Sequence, residues 1–131
     1  MQKDQKPLES SSEKNAKLLY SAIDIIKAKG FEHIRASISD YEDPAPLTKK
    51  GTEKSFIPDI TARTSQGKSY FEIVPKSTSN IKNLVDKWTL LSSLAQHRNG
   101  TFFLLVPHGK LSFTNKLIEK HSISADILKI K

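Results

Sequence analysis

Two acids, Asp59 and Glu72, stand where this chain could most readily do chemistry. The first lies in Phe56-Ile57-Pro58-Asp59-Ile60-Thr61-Ala62-Arg63 and the second in Ser69-Tyr70-Phe71-Glu72-Ile73-Val74-Pro75-Lys76, with Ser65-Gln66-Gly67 between them as a turn. The pattern predicts a β-hairpin carrying one carboxylate on each strand. Side chains alternate across a strand. Asp59 therefore shares a face with Thr61 and Arg63, and Glu72 with Tyr70 and Val74. Ile60, Ala62, Phe71 and Ile73 face the other way. Acids on adjacent strands can converge on one divalent cation. Magnesium suits such an incomplete oxygen set, because it keeps several waters and takes one or two carboxylates plus substrate phosphate. Two solvated acids on a surface hairpin would carry the same spacing, so the surrounding elements have to decide.

Ser10-Ser11-Ser12-Glu13 matches a capping box. Ala16, Leu19, Ile23 and Ile26 then recur at helical spacing up to Gly30, which predicts a helix over 11–29. Glu13 has two readings, a cap that reaches back or an accessory acid beside the hairpin. Phe31 to Ser39 alternates as a first strand. Asp40 to Pro46 is an acidic, proline-rich stretch, and the chain stays polar to Ser55. A connection this long reads either as an arm that follows a substrate backbone or as a solvated insertion. After the hairpin, Ser77 to Asn80 offer N-caps. Ile81, Leu84, Val85, Trp88, Leu91, Leu94 and Ala95 form an apolar stripe that predicts a helix to about His97, with Trp88 in the core. Thr101 to Val106 is an apolar run of the kind covered on both faces of a sheet. Ser112 to His121 predicts a short helix, and Ile127, Leu128 and Ile130 an edge strand.

The three early strands can form a meander, and the stripe helix then crosses to the buried strand, making it parallel to a neighbour. The expected fold is α/β, with helices flanking a mixed four- to five-stranded central sheet in αβββαβ order. With 131 residues, a single domain over 11–131 following a flexible tail at 1–10 is expected. The chain has no cysteine, which excludes disulfides and thiolate metal sites and fits a reducing, cytoplasmic setting. Its opening residues carry no apolar signal core, and the run Phe102 to Val106 is too short to span a bilayer, so no membrane partner is expected. The net charge is +7 and uneven. Residues 1–65 hold 11 Lys and Arg against 10 Asp and Glu, whereas residues 66–131 hold 10 against 4. A basic second half attracts polyanions, and Lys82 and Lys87 are its candidate nucleic-acid contacts. The same lysines also read as ordinary solubilising charge. Four histidines show no metal-ligand spacing, and there is neither a Gly-rich phosphate loop nor a nucleophile elbow.

The element order and the hairpin resemble the restriction-endonuclease-like, or PD-(D/E)XK, nuclease superfamily. The carriers are Pro58-Asp59 on one strand and Glu72 on the next. Lys29-Gly30-Phe31, Ile34-Arg35-Ala36, Ile57-Pro58-Asp59-Ile60, Phe71-Glu72-Ile73-Val74 and Lys76-Ser77 are particularly similar to archaeal-type Holliday junction resolvases. The resemblance covers roughly residues 13–106 and implies hydrolysis of DNA phosphodiester bonds. Asp59 and Glu72 would hold magnesium, or manganese in its place, with help from the Ile73 carbonyl. Where the pattern has its lysine, two residues after Glu72, this chain has Val74. Lys76 shares the strand parity and is the first candidate for the catalytic lysine. Lys82, in the following helix, is the second. Two readings follow. One is a magnesium-dependent DNA endonuclease, with structure selectivity and a homodimer as open options. The other is a catalytically impaired module of the same fold that binds nucleic acid or a protein partner.

Overall fold

The computed structural model describes residues 16–48, 51 and 55–130. The expected tail, the Ser10 cap and Glu13 lie outside them. Helix α1 covers 16–28. It is followed by β1 (Glu32–Ala36), β2 (Leu47–Thr48), β3 (Ser55–Phe56), β4 (Ile60–Arg63) and β5 (Lys68–Ile73), then α2 (Ile81–His97), β6 (Phe102–Val106), α3 (Leu111–Lys120) and β7 (Asp126–Lys129). The main sheet has the order β1-β4-β5-β6-β7. The β1/β4 and β4/β5 pairs are antiparallel, and β5/β6 and β6/β7 are parallel. The protein is thus an α/β fold built on a mixed five-stranded sheet, flanked by three helices among the described residues. None of these helices is long and apolar enough to cross a membrane.

Period-3.6 stripes decide which face each helix covers. Leu19, Ala22, Ile23 and Ile26 of α1 are buried against Ala36, Ile60, Ala62, Phe71 and Leu105. On the opposite face Trp88, Leu91 and Ala95 of α2 pack with Tyr70, Val74, Phe102, Leu104 and Val106, and Leu117 of α3 joins them. Strand β6 feeds both cores, Phe103 and Leu105 on the α1 side and Phe102, Leu104 and Val106 on the other. That is why its sequence reads as a continuous apolar run. Phe71 and Phe103 stack at 4.8 Å and 7°, and Phe31 meets both rings edge-on.

Each helix stops on a left-handed residue. Gly30 (φ +93°) donates its N–H to the Lys27 carbonyl, and the Phe31 N–H donates to Ile26, the paired bonds that satisfy the last turn. Asn99 (φ +59°) and Ser122 (φ +54°) play the same part after α2 and α3. At the other end of α2, Asn80 Oδ1 accepts the Asn83 N–H at 2.9 Å, so the last of the four N-cap candidates is the one used.

The structure departs from the sequence expectations in four places. The first hairpin strand is not continuous from Phe56. Ser55–Phe56 pairs with Leu47–Thr48 in a separate ribbon, and the main-sheet strand begins only at Ile60. Pro58, which lacks an N–H, stands between the two. The long connection therefore contains a two-stranded ribbon, and its Leu47 packs against the α2-side core. Strand β5 ends at Ile73, before Pro75, instead of running to Lys76. Finally, β1 is shorter than 31–39 and carries a bulge between Glu32 and Arg35, where His33 adopts φ +52°.

Candidate active site

Glu72 lies in β5 between Tyr70 and Val74, on the face covered by α2, and is only 3% exposed. The pairing of Ile60 with Phe71 sets Asp59 opposite Glu72, one step beyond the end of β4. Here the side chains take over from the ladder. The Asp59 N–H donates to Glu72 Oε2 at 2.7 Å, and the Ile73 N–H donates to Asp59 Oδ2 at 2.8 Å. The Asp59 carbonyl accepts the Ser37 N–H at 3.1 Å. Each acid thus accepts a backbone N–H from the other acid's segment, which fixes the pair. Asp59 sits just before β4, not within a strand as the sequence pattern suggested. The expected adjacency of the two acids on one sheet face is nevertheless what the register produces.

A third charge arrives from α2. Lys87 Nζ is 2.9 Å from Glu72 Oε1. Leu84 and Lys87, three residues apart on one helical face, both line a cleft of about 550 Å³. Leu18, Asp59, Glu72 and Lys76 line it too. Burial, and then the neighbouring Asp59, push the Glu72 carboxyl up to about 8 against the pull of Lys87 and the Asp59 N–H. Burial likewise raises Asp59, opposed by the Ile73 N–H and by Lys87. One buried and one half-buried carboxyl group share the Lys87 ammonium, so ionising both leaves the site short of positive charge.

That shortage is the basis for asking whether a cation fits. Among the described residues no group of three or more His, Cys, Asp or Glu is gathered in one place. The oxygen donors that the cleft residues offer are the Asp59 and Glu72 carboxylates and the Ile73 carbonyl. Asp59 Oδ1 takes no hydrogen bond from a described residue. An all-oxygen set that leaves positions for water and phosphate fits magnesium and suits zinc poorly.

The remaining sequence candidates separate. Val74 is fully buried in the α2-side core, which accounts for an apolar residue at this position. Lys76 is exposed and on the cleft wall, beyond Pro75. Lys82 is exposed at the start of α2 and is not among the cleft residues. Lys87, read from the sequence only as a nucleic-acid contact, is the lysine that meets Glu72. Its signal was there: it follows Leu84 by three residues and precedes Leu91 by four, a charge set at the edge of the buried stripe.

No family model matches the chain, and neither a curated protein nor a solved structure matches it.

Proposed function

We propose that this chain is a magnesium-dependent DNA endonuclease of the restriction-endonuclease-like type, with Asp59 and Glu72 as its metal-holding acids and Lys87 as the cation of the site. The observation that carries the reading is the 2.9 Å pair between Lys87 and Glu72 in the cleft that Asp59 also lines. A helix delivers the charge that the superfamily pattern keeps two residues after the second acid. The order of an antiparallel meander followed by a helix and a parallel strand supports the same assignment.

Magnesium, when bound, polarises a phosphate oxygen and lowers the pKa of a coordinated water. The chain's own residues do the rest. The Ile73 N–H fixes the Asp59 carboxylate, and the Asp59 N–H fixes Glu72. Lys87 offsets negative charge building on the phosphate, in a site that is partly closed to water. Lys76 at the cleft wall contacts the substrate backbone. A cysteine-free chain suits a reducing cytoplasm.

Single-turnover cleavage of branched and linear DNA with magnesium or manganese tests the proposal. Asp59→Ala is expected to abolish cleavage. Lys87→Ala should slow it about 10²- to 10³-fold, the usual cost of removing one preorganised charge. Lys76→Ala should have a smaller effect, and Lys82→Ala should leave the rate unchanged. Undiminished cleavage by Asp59→Ala would remove the assignment. Clear DNA binding with no cleavage by the wild type would instead favour a nucleic-acid-binding module of this fold, the reading to which the apolar Val74 points.

A further inference from the structure

A second cavity, of about 320 Å³, opens at the other end of the β4–β5 hairpin. Its lining is His33, Arg35, Thr61, Ala62, Arg63 and Lys68. Arg35 pairs with Thr61 across β1/β4, and Arg63 with Lys68 across β4/β5. Directly paired residues share a face, so the three cations project together, on the face that also carries Glu72. The bulge in β1, with His33 held at φ +52°, turns the imidazole toward the same hollow. Bulges commonly re-aim a side chain in this way. The floor is rigid. The Lys68 N–H donates to the Arg98 carbonyl at 3.1 Å, which ties the hairpin to the end of α2.

Like charges gathered in a concavity repel unless an anion joins them. Among the described residues Arg35, Arg63, Lys68 and Arg98 have no acidic partner in an ion pair. Glu32, opposite Arg63 in the register, makes none with it. Burial, and then repulsion from Arg98, Arg63 and Arg35, hold the Lys68 ammonium below its ordinary value.

We propose that this cavity binds a phosphate group of a nucleic-acid strand, with Arg35, Arg63 and Lys68 as the contacting cations. The proposal rests on the nucleic-acid part of the function above but needs neither metal nor cleavage. Guanidinium forks match phosphate oxygens in pairs, which a lysine cluster cannot do. Among the described residues His33 supplies the one aromatic ring of the lining, beside three cations, so the cavity reads chiefly the phosphate backbone. The occupant is a polymer because of where the cavity lies. Asp59 and Arg63 are four residues apart, as are Glu72 and Lys68, so the cavity and the acid pair are separated by roughly 13 Å along one sheet face. Thr61 and Tyr70 lie buried between the two, so a strand that spans cations and acids passes over them, a reach an isolated anion lacks.

The test is binding by the full chain in EDTA, measured by fluorescence anisotropy with a labelled oligonucleotide and by calorimetry with inorganic phosphate. The Asp59→Ala background excludes cleavage. Arg35→Gln/Arg63→Gln should weaken DNA binding at least tenfold and flatten the salt dependence by about one to two units of slope. Arg35→Lys/Arg63→Lys should recover part of the affinity, and the surface control Lys116→Gln/Lys120→Gln should retain most of it. A loss no greater than the control's, with thermal melts unchanged, would overturn the site. Tight binding of inorganic phosphate with no affinity for DNA would overturn the strand as its occupant. A wild type that binds DNA without cutting it leaves this proposal standing while the endonuclease reading falls.

Discussion

Removing the Lys87 ammonium while keeping its apolar stem, as in Lys87→Met, should destabilise the metal-free protein by an amount that grows with pH. Glu72 is raised from 4.5 to about 8. Below pH about 4.5 the folded and unfolded chains both hold its proton. Between there and about 8 only the folded chain does, so wild-type stability falls by about 1.4 kcal/mol per pH unit. The whole span is roughly 5 kcal/mol, present at acid pH and lost as pH rises through the folded value. At pH 6 Glu72 is therefore neutral, and losing Lys87 costs about 1 kcal/mol, the worth of one hydrogen bond. At pH 9 the wild type has gained about 1.4 kcal/mol by ionising Glu72 beside Lys87, which a variant whose Glu72 keeps its proton forgoes, so losing Lys87 costs roughly 2.5 kcal/mol. Urea unfolding in EDTA between pH 6 and 9 reads this directly. Trp88, the only tryptophan and fully buried, supplies the fluorescence signal. A cost constant over that range would refute the electrostatic reasoning, and a cost that shrinks with pH would reverse its sign.

Two further substitutions probe the scaffold. A Cβ at Gly100 would sit 1.9 Å from the Lys68 carbonyl oxygen and 2.9 Å from Ser69 Oγ. Gly100→Ala must therefore push the hairpin from the end of α2 and break the Lys68–Arg98 and Thr101–Ser69 hydrogen bonds, a loss of about 2–3 kcal/mol in denaturant midpoint analysis. A loss under 0.5 kcal/mol, on the order of a neutral surface change, would mean the close approach is not retained in solution. Ser122, left-handed after α3, should gain about 0.5–1 kcal/mol on substitution by glycine, read as a rise in melting temperature.

Much of this arrangement is legible in the sequence because it follows from periodicity. The α2 stripe, the buried run of β6 and the facing of Asp59 and Glu72 each depend only on repeats of 3.6 or 2. Other features depend on contacts that a linear pattern does not carry. Alternation through Phe56 to Arg63 hides the break at Pro58, because the ribbon strand and the sheet strand keep a similar parity on either side of it. The bulge at His33 requires a non-glycine residue in a left-handed conformation, for which a histidine is only a weak signal. Lys87 was visible as a charge beside an apolar stripe, but only the packing of α2 on β5 makes Glu72 its partner. Arg35, Arg63 and Lys68 are far from any run of basic residues, and strand pairing alone collects them.

The same irregularity in β1 governs how copies of this chain can associate. β1 and β7 are the two outer strands of the sheet, and an outer strand with regular unpaired amides and carbonyls invites another chain to add to it. In β1 the extra residue and the left-handed turn at His33 break the even spacing of those groups. A second molecule laid along β1 would find its hydrogen-bond rhythm interrupted after one or two residues. Sheet continuation across that border is therefore disfavoured, and a two-fold assembly that extended this sheet would have to use the β7 border.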